Sequence, residues 1–237
     1  MSGSAGVVRK VFDVGPASLT TSSNYDGSGS PATVWSSGVA GPSASASLWI
    51  TDLSQGVTDN DRVGFSIAAE SLDLSIIINP DVTLAGHSVL RILLVADNEC
   101  DGAYPTLAEI LGNATGTDVT IASGLPISHI QPAYFGRFHV YMDEYWDWWS
   151  TSSSGTPIIL QTRTEKSLVH RRHFDLHDHR VLWDMTDASA IANARKGHLF
   201  LFFLYQNNSV ATGGLNTQTT TNPPNIQFAS RLRYRDA

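Results

Sequence analysis

The sequence predicts an all-β sandwich or barrel, and three observations predict it. Short β-type runs alternate with clusters of turn residues, several runs alternate apolar and polar side chains with a period of two, and only one helix start is well signalled. At 237 residues the chain is ordinary in length for one such domain and long enough to bury a sizeable core.

Residues 1–46 are dominated by Gly, Ser, Thr, Ala and Pro, and Arg9, Lys10, Asp13 and Asp26 are their charges. Such a segment cannot support a core alone, so it reads as an N-terminal arm, extended over the body or mobile. The folded domain is expected over 47–237. Its β-type runs are 48–53, 63–78, 89–96, 135–145, 157–164, 168–176, 180–183, 198–206 and 226–235. Phe138, Val140 and Met142 are interleaved with His139, Tyr141 and Asp143, and Phe228, Leu232 and Tyr234 with Arg231, Arg233 and Arg235. Those strands put one face in the core and one in water. The run 199–205 is apolar throughout, which predicts a strand covered on both faces or lying in a subunit contact. One short helix is expected at about 106–111, where Thr106 and Glu109 can form a capping box and Gly112 can end it. Residues 187–196, Ala-rich and followed by Gly197, are the second helix candidate.

The formal net charge of -7 argues against broad attraction to nucleic acid or anionic membrane, so any polyanion contact must be local. No apolar run approaches the roughly 18 residues that span a bilayer, and no membrane partner is expected. Near the N-terminus Val7, Val8, Val11 and Phe12 are scattered among polar residues, unlike a secretory h-region, so the sequons at 113–115 and 207–209 are expected to be silent. The lone Cys100 excludes an intramolecular disulfide and a Cys-based zinc cluster, and suits a reducing compartment.

Motifs for an activated serine, a phosphate-cradling lysine loop and a dinucleotide turn are absent, and no catalytic role is expected. Four clusters carry what chemistry there is. Asp97, Glu99 and Asp101 followed by Gly102 follow the first half of a calcium loop, but the closing position is Ala108 and the preceding residues are β-type. The alternative is a strand followed by a polar turn. His173, Asp175, His177 and His179, with His170 nearby, would share one face of an unbroken strand, as in a cupin-like iron, manganese or zinc enzyme. A turn at His177–Asp178 would break that face and leave a polar hairpin that titrates. Tyr145, Trp146, Trp148 and Trp149 end a strand, and successive Trp residues cannot all face inward. They suit a subunit interface, or a carbohydrate-stacking platform on a β-sandwich. Finally, Arg231, Arg233 and Arg235 share one face of a strand, where they can grip phosphates or pair with acidic neighbours.

Six stretches occur in a telling order: NDRVGFSI (60–67), LRILLVADNECDGAYPTLAEIL (90–111), GRFHVYMDE (136–144), HFDLHDHRVLWD (173–184), GHLFLFFLY (197–205) and RLRYRDA (231–237). Together they resemble the jelly-roll capsid proteins of small circular single-stranded DNA viruses, of the satellite tobacco necrosis virus-like type, with a looser likeness to geminivirus coat proteins. The resemblance implies an eight-stranded antiparallel jelly roll of two facing four-stranded sheets, B-I-D-G and C-H-E-F. It names the runs B to I in order from 48–53, with 63–78 as C, 89–96 as D and 180–183 as G. It implies a self-assembling icosahedral homo-oligomer found in the virion, and in the host cell interior during assembly. The B-I-D-G sheet would look inward, making Arg231, Arg233 and Arg235, with Arg91, Arg9 and Lys10, candidates for contact with single-stranded DNA. It also implies calcium at subunit contacts, through Asp97, Glu99 and Asp101. One departure stands out: such proteins begin with a strongly basic arm, whereas this one offers Arg9 and Lys10.

Overall fold

A computed structural model describes residues 8–20, 33–34, 39–40, 48–58, 60–80, 86–111, 130, 136–153, 156–160, 168–184, 190–210, 216–219 and 224–237. The sequons' Asn113 and the run 161–164 lie outside the described residues.

In chain order the strands are β1 (Arg9–Thr20), β2 (Thr33–Val34), β3 (Val39–Ala40), β4 (Ser66–Asn79), β5 (Gly86–Asp97), β6 (Phe138–Ser153), β7 (Thr156–Leu160), β8 (Leu168–Trp183), β9 (Ala194–Lys196), β10 (His198–Val210), β11 (Asn216–Thr219) and β12 (Asn225–Asp236), with helix α1 (Leu107–Ile110) after β5. They form two sheets. Sheet 1 runs β2-β1-β12-β4-β8-β9, and sheet 2 runs β11-β10-β5-β6-β7 with β3 also paired to β10. The long strands are antiparallel, and the chain passes back and forth between the sheets as a jelly roll does. Each sheet has four jelly-roll positions: β1-β12-β4-β8 corresponds to B-I-D-G, and β3-β10-β5-β6 to C-H-E-F.

This order corrects the strand names expected from sequence. Strand B is β1, inside the stretch read as an arm, so 63–78 supplies D and 89–96 supplies E. The physical reason lies in the middle of β1. Phe12 and Val14 pack on the core, the register slips across Gly15–Pro16, and Ala17 and Leu19 resume the buried face. A bulge next to a proline is tolerated there because, among the described residues, β1 has no second neighbour until Leu19 pairs with Thr33.

The main core lies between the sheets. Ile226, Phe228, Leu232 and Tyr234 of β12 meet Leu90, Ile92, Leu94 of β5 and Leu199, Leu201, Phe203 of β10. A second core covers the outer face of sheet 2, where Leu93, Val95, Phe200, Phe202 and Leu204 pack with Trp49, Ile110 and Leu111. That is why 199–205 is apolar throughout: both faces of the strand are buried by its own chain.

The single-turn helix stands where its capping box predicted. Thr106 Oγ1 accepts the Glu109 N–H at 3.3 Å, and Glu109 Oε2 accepts the Thr106 N–H at 2.7 Å. The helix ends at Leu111. The second helix candidate is different in structure: its described part is one 3-10 turn (Ile191–Asn193) followed by β9.

Candidate functional site

The outer face of sheet 1 gathers a group of exposed charges. β1, β12, β4 and β8 align Asp13, Arg231, Asp73 and His173 in one cross-strand row. The signs alternate, and the side chains close on one another. Arg231 donates Nε–H and NH2 bonds to Asp13 at 2.8 Å each. Asp73 Oδ1 lies 2.6 Å from His173 Nδ1, while its Oδ2 accepts from Arg233 at 2.5 Å. Arg235 donates to Asp178 at 2.6 Å, and Arg9 reaches Glu70 at 3.0 Å. The Arg231 bonds hold the Asp13 carboxyl below the usual carboxylate range. The His173 bond, with help from Arg233, does the same for Asp73 against the cost of burial. Arg231, Arg233 and Arg235 therefore do share one face, as their spacing predicted, but each is already held by a carboxylate.

Lys10 points away from that face. Its side chain is buried, donating to the Asp61 carbonyl at 2.8 Å and lying 3.1 Å from Asp236. It ties the first strand to the C-terminal one and is no free phosphate ligand.

Arg91 corrects the expectation more sharply. It belongs to β5 in sheet 2, is 1% exposed, and donates Nε–H and NH2 bonds to the two oxygens of Asp143 at 2.7 Å. Its guanidinium lies 4.9 Å from the centre of the Tyr145 ring. It cannot join the sheet 1 arginines.

The acidic turn is held in the same way. Asp97 is fully buried and accepts bonds from Arg137 Nε and NH2 at 2.9 and 2.8 Å, and Arg137 also donates to Glu109 at 2.7 Å. Asp97 Oδ1 further accepts the Glu99 N–H at 3.0 Å. Glu99 and Asp101 are exposed. Among the described residues no group of three His, Cys, Asp or Glu is placed to hold a metal ion. Asp97 is thus paired with Arg137: its oxygens are occupied, and it has no exposed surface.

The sequence matches no protein-family model and no curated protein. Function must be read from strand order and side chains.

The histidine cluster is dispersed. β8 makes a wide bulge between its pairings to Ala69 and Ser71, with His177 and Asp178 in left-handed backbone at φ 50° and 61°. His173 faces Asp73 on the outer face. His177 is exposed beside Asp175 in the bulge. His179 turns inward, where its Nδ1 accepts the Tyr141 hydroxyl at 3.2 Å and its Nε2 donates to the Gly197 carbonyl at 2.7 Å. His170 is buried against the edge of Trp146, with its Nε2 3.1 Å from Glu144 but out of hydrogen-bond alignment. Burial holds both His170 and His179 below the usual imidazole range.

The aromatic cluster also divides. Trp148 is 1% exposed and stacks on Tyr205, with ring centres 6.0 Å apart, so it belongs to the core and cannot meet a second subunit. Trp146 packs against the same core. Tyr145 is exposed, at 50%. The Trp149 side chain lies outside the described residues.

Three participants escaped sequence reasoning. Asp13, Asp73 and Arg137 complete ion pairs across 28 to 218 residues of sequence, and local spacing carries no signal for partners that distant. Lys196 was also missed; it is exposed on β9, as Arg180 is on β8.

Proposed function

We propose that this chain is a capsid protein: a jelly-roll subunit that assembles with copies of itself into a small icosahedral shell around a single-stranded DNA genome, with a structural and not a catalytic role. The observation that carries the reading is the strand order. The last strand, β12, sits between β1 and β4 in sheet 1, and β10 sits between β3 and β5 in sheet 2, the order the sequence resemblance implies. The six signpost stretches fall in turn on the entry to β4, on β5 with its turn and α1, on β6, on β8, on β10 and on β12. On this reading the outer face of sheet 1 looks into the lumen, and the protein's places are the virion and the host cell during assembly.

A cupin-like enzyme shares the architecture but would need His173, His177 and His179 to converge, and the β8 bulge separates them. A carbohydrate platform would need exposed Trp faces, and Trp148 is buried.

Size-exclusion chromatography with electron microscopy tests the proposal. Closed particles of uniform diameter are expected. A monomer that persists across salt and pH overturns it.

A further inference from the structure

We infer that single-stranded nucleic acid docks on a cationic stripe crossing one end of the outer face of sheet 1, with Arg180 and Lys196 as its free phosphate-binding groups, Arg9 and Arg235 extending it, and Phe65 as a base-stacking platform at its margin. The inference deepens the proposed function and rests on it for which strand is bound; the geometry is independent of it.

The register builds the stripe. Arg9 is opposite Arg235, Arg235 is opposite Ala68, and Ala68 is opposite Arg180. Three guanidinium groups thus lie in one row over four strands, about 15 Å from end to end, with only a methyl group between the second and third. On β9, Lys196 pairs with Leu182, two residues beyond Arg180 and on the same face. The row continues as a fourth cation past the edge of the jelly roll.

This row differs from its neighbour in what holds the charges. Arg231 is clamped by Asp13 and Arg233 by Asp73. Arg180 and Lys196 are exposed and have no ion-pair or hydrogen-bonding partner among the described residues. The pairs Arg9–Glu70 and Arg235–Asp178 are exposed as well, with the Arg9 side chain 78% open to solvent. An exposed pair held through one donor group is weak, so an incoming phosphate can replace the carboxylate at little cost, whereas Arg231 grips Asp13 with two bonds and Asp73 is held by His173 as well as Arg233. The chain is acidic overall, which confines attraction for a polyanion to a place such as this.

Phe65 supplies the second requirement. It immediately precedes β4, is 38% exposed, and its carbonyl accepts the Trp183 N–H at 2.9 Å, which anchors its backbone at the end of β8, one residue from the Leu182–Lys196 pair. Val63, 54% exposed, flanks it. Cations that track a backbone beside an exposed ring are what an unpaired strand uses, because its bases are free to stack. A duplex keeps its bases inside and would engage the charges alone.

The test is fluorescence anisotropy of the full chain with labelled oligothymidine of about 20 nucleotides, across a salt series that keeps subunits apart. Arg180→Ala/Lys196→Ala should weaken binding about tenfold and flatten the log–log salt slope by about 1.4, the value for two lost single-strand phosphate contacts. Phe65→Ala should weaken it about fivefold or more, with the slope unchanged. Arg172→Ala, whose guanidinium Glu144 holds at 2.9 and 2.6 Å, and Arg231→Ala, whose guanidinium Asp13 holds with two bonds, should stay within about twofold of the parent. Unchanged affinity in Arg180→Ala/Lys196→Ala overturns the inference. So does full retention in Phe65→Ala, or equal affinity for a duplex of the same length, since either would leave a generic anion stripe. Particle formation is scored separately by electron microscopy: absence of shells removes the proposed function, whereas these affinities alone remove the stripe.

Discussion

Arg137 and Asp97 form a two-bond fork that locks the end of β5 to the start of β6: the guanidinium meets both carboxylate oxygens, at 2.9 and 2.8 Å, and the carboxylate has no exposed surface. A third bond to Glu109 draws in the helix that caps the second core. Removing one partner strands a buried charge, so Arg137→Ala or Asp97→Ala should cost about 3–5 kcal/mol by denaturant unfolding. Arg137→Lys keeps the charge but not the planar fork and should recover only part of the loss. A cost of a few tenths from either alanine would show that the fork is dispensable.

Acid should destabilise the protein through histidine. His198 is enclosed by Trp49, Trp183 and Phe200; its Nε2 donates to the Leu182 carbonyl, and its Nδ1 accepts from the Trp49 indole at 3.2 Å. Burial drives its pKa down to about 3. The sign follows from linkage. The unfolded imidazole takes a proton below about 6.5 and the folded one does not, so unfolding consumes protons, and stability falls as pH drops through that value towards 3. One such group gives a slope of up to about 1.4 kcal/mol per pH unit. His170 and His179, held low by burial, push the same way. Unfolding series between pH 7 and pH 4 should show the slope, and His198→Gln should reduce it by one proton. An equal slope in that variant would move the effect elsewhere.

Cys100 should be chemically silent in the folded protein. It is 5% exposed, and burial, reinforced by the nearby Asp97 charge, pushes its thiol up to about 12. A disulfide-exchange reagent at pH 8 should titrate no thiol natively and one after unfolding. Rapid native labelling would contradict the buried, protonated state.

What was legible in the sequence divides by range. The capping box at Thr106 and Glu109 is a local pattern, and it appears where it was expected. The shared face of Arg231, Arg233 and Arg235 follows from strand periodicity alone. Their partners Asp13 and Asp73 did not show, because pairing between strands far apart in sequence is fixed by the topology. β1 was hidden for a different reason: its inward positions Phe12, Val14, Ala17 and Leu19 fall out of phase across Gly15–Pro16, within a stretch whose composition reads as a tail. Arg91 was misplaced for want of the sheet assignment, since a period of two cannot say which sheet a strand joins.

The bulge at His177 and Asp178 decides between a metal site and architecture, and it can be tested directly. Non-glycine residues in left-handed backbone carry a steric cost of roughly 1 kcal/mol, which glycine escapes. His177 is exposed in the bulge, and its side chain meets Asp175 next to it, 3.2 Å away. His177→Gly should therefore leave stability unchanged or raise it by up to about 1 kcal/mol, whereas the β-branched His177→Val should lower it by more than that. If the histidines instead served a metal, His177→Gly would abolish binding of zinc or manganese, and the parent's melting temperature would rise when either ion is added. Neither ion should move the melting temperature of the parent, because the bulge sends His173 to the outer face and His179 to Tyr141 on the inner one. A stoichiometric metal in the purified parent that is lost in His177→Gly would refute this.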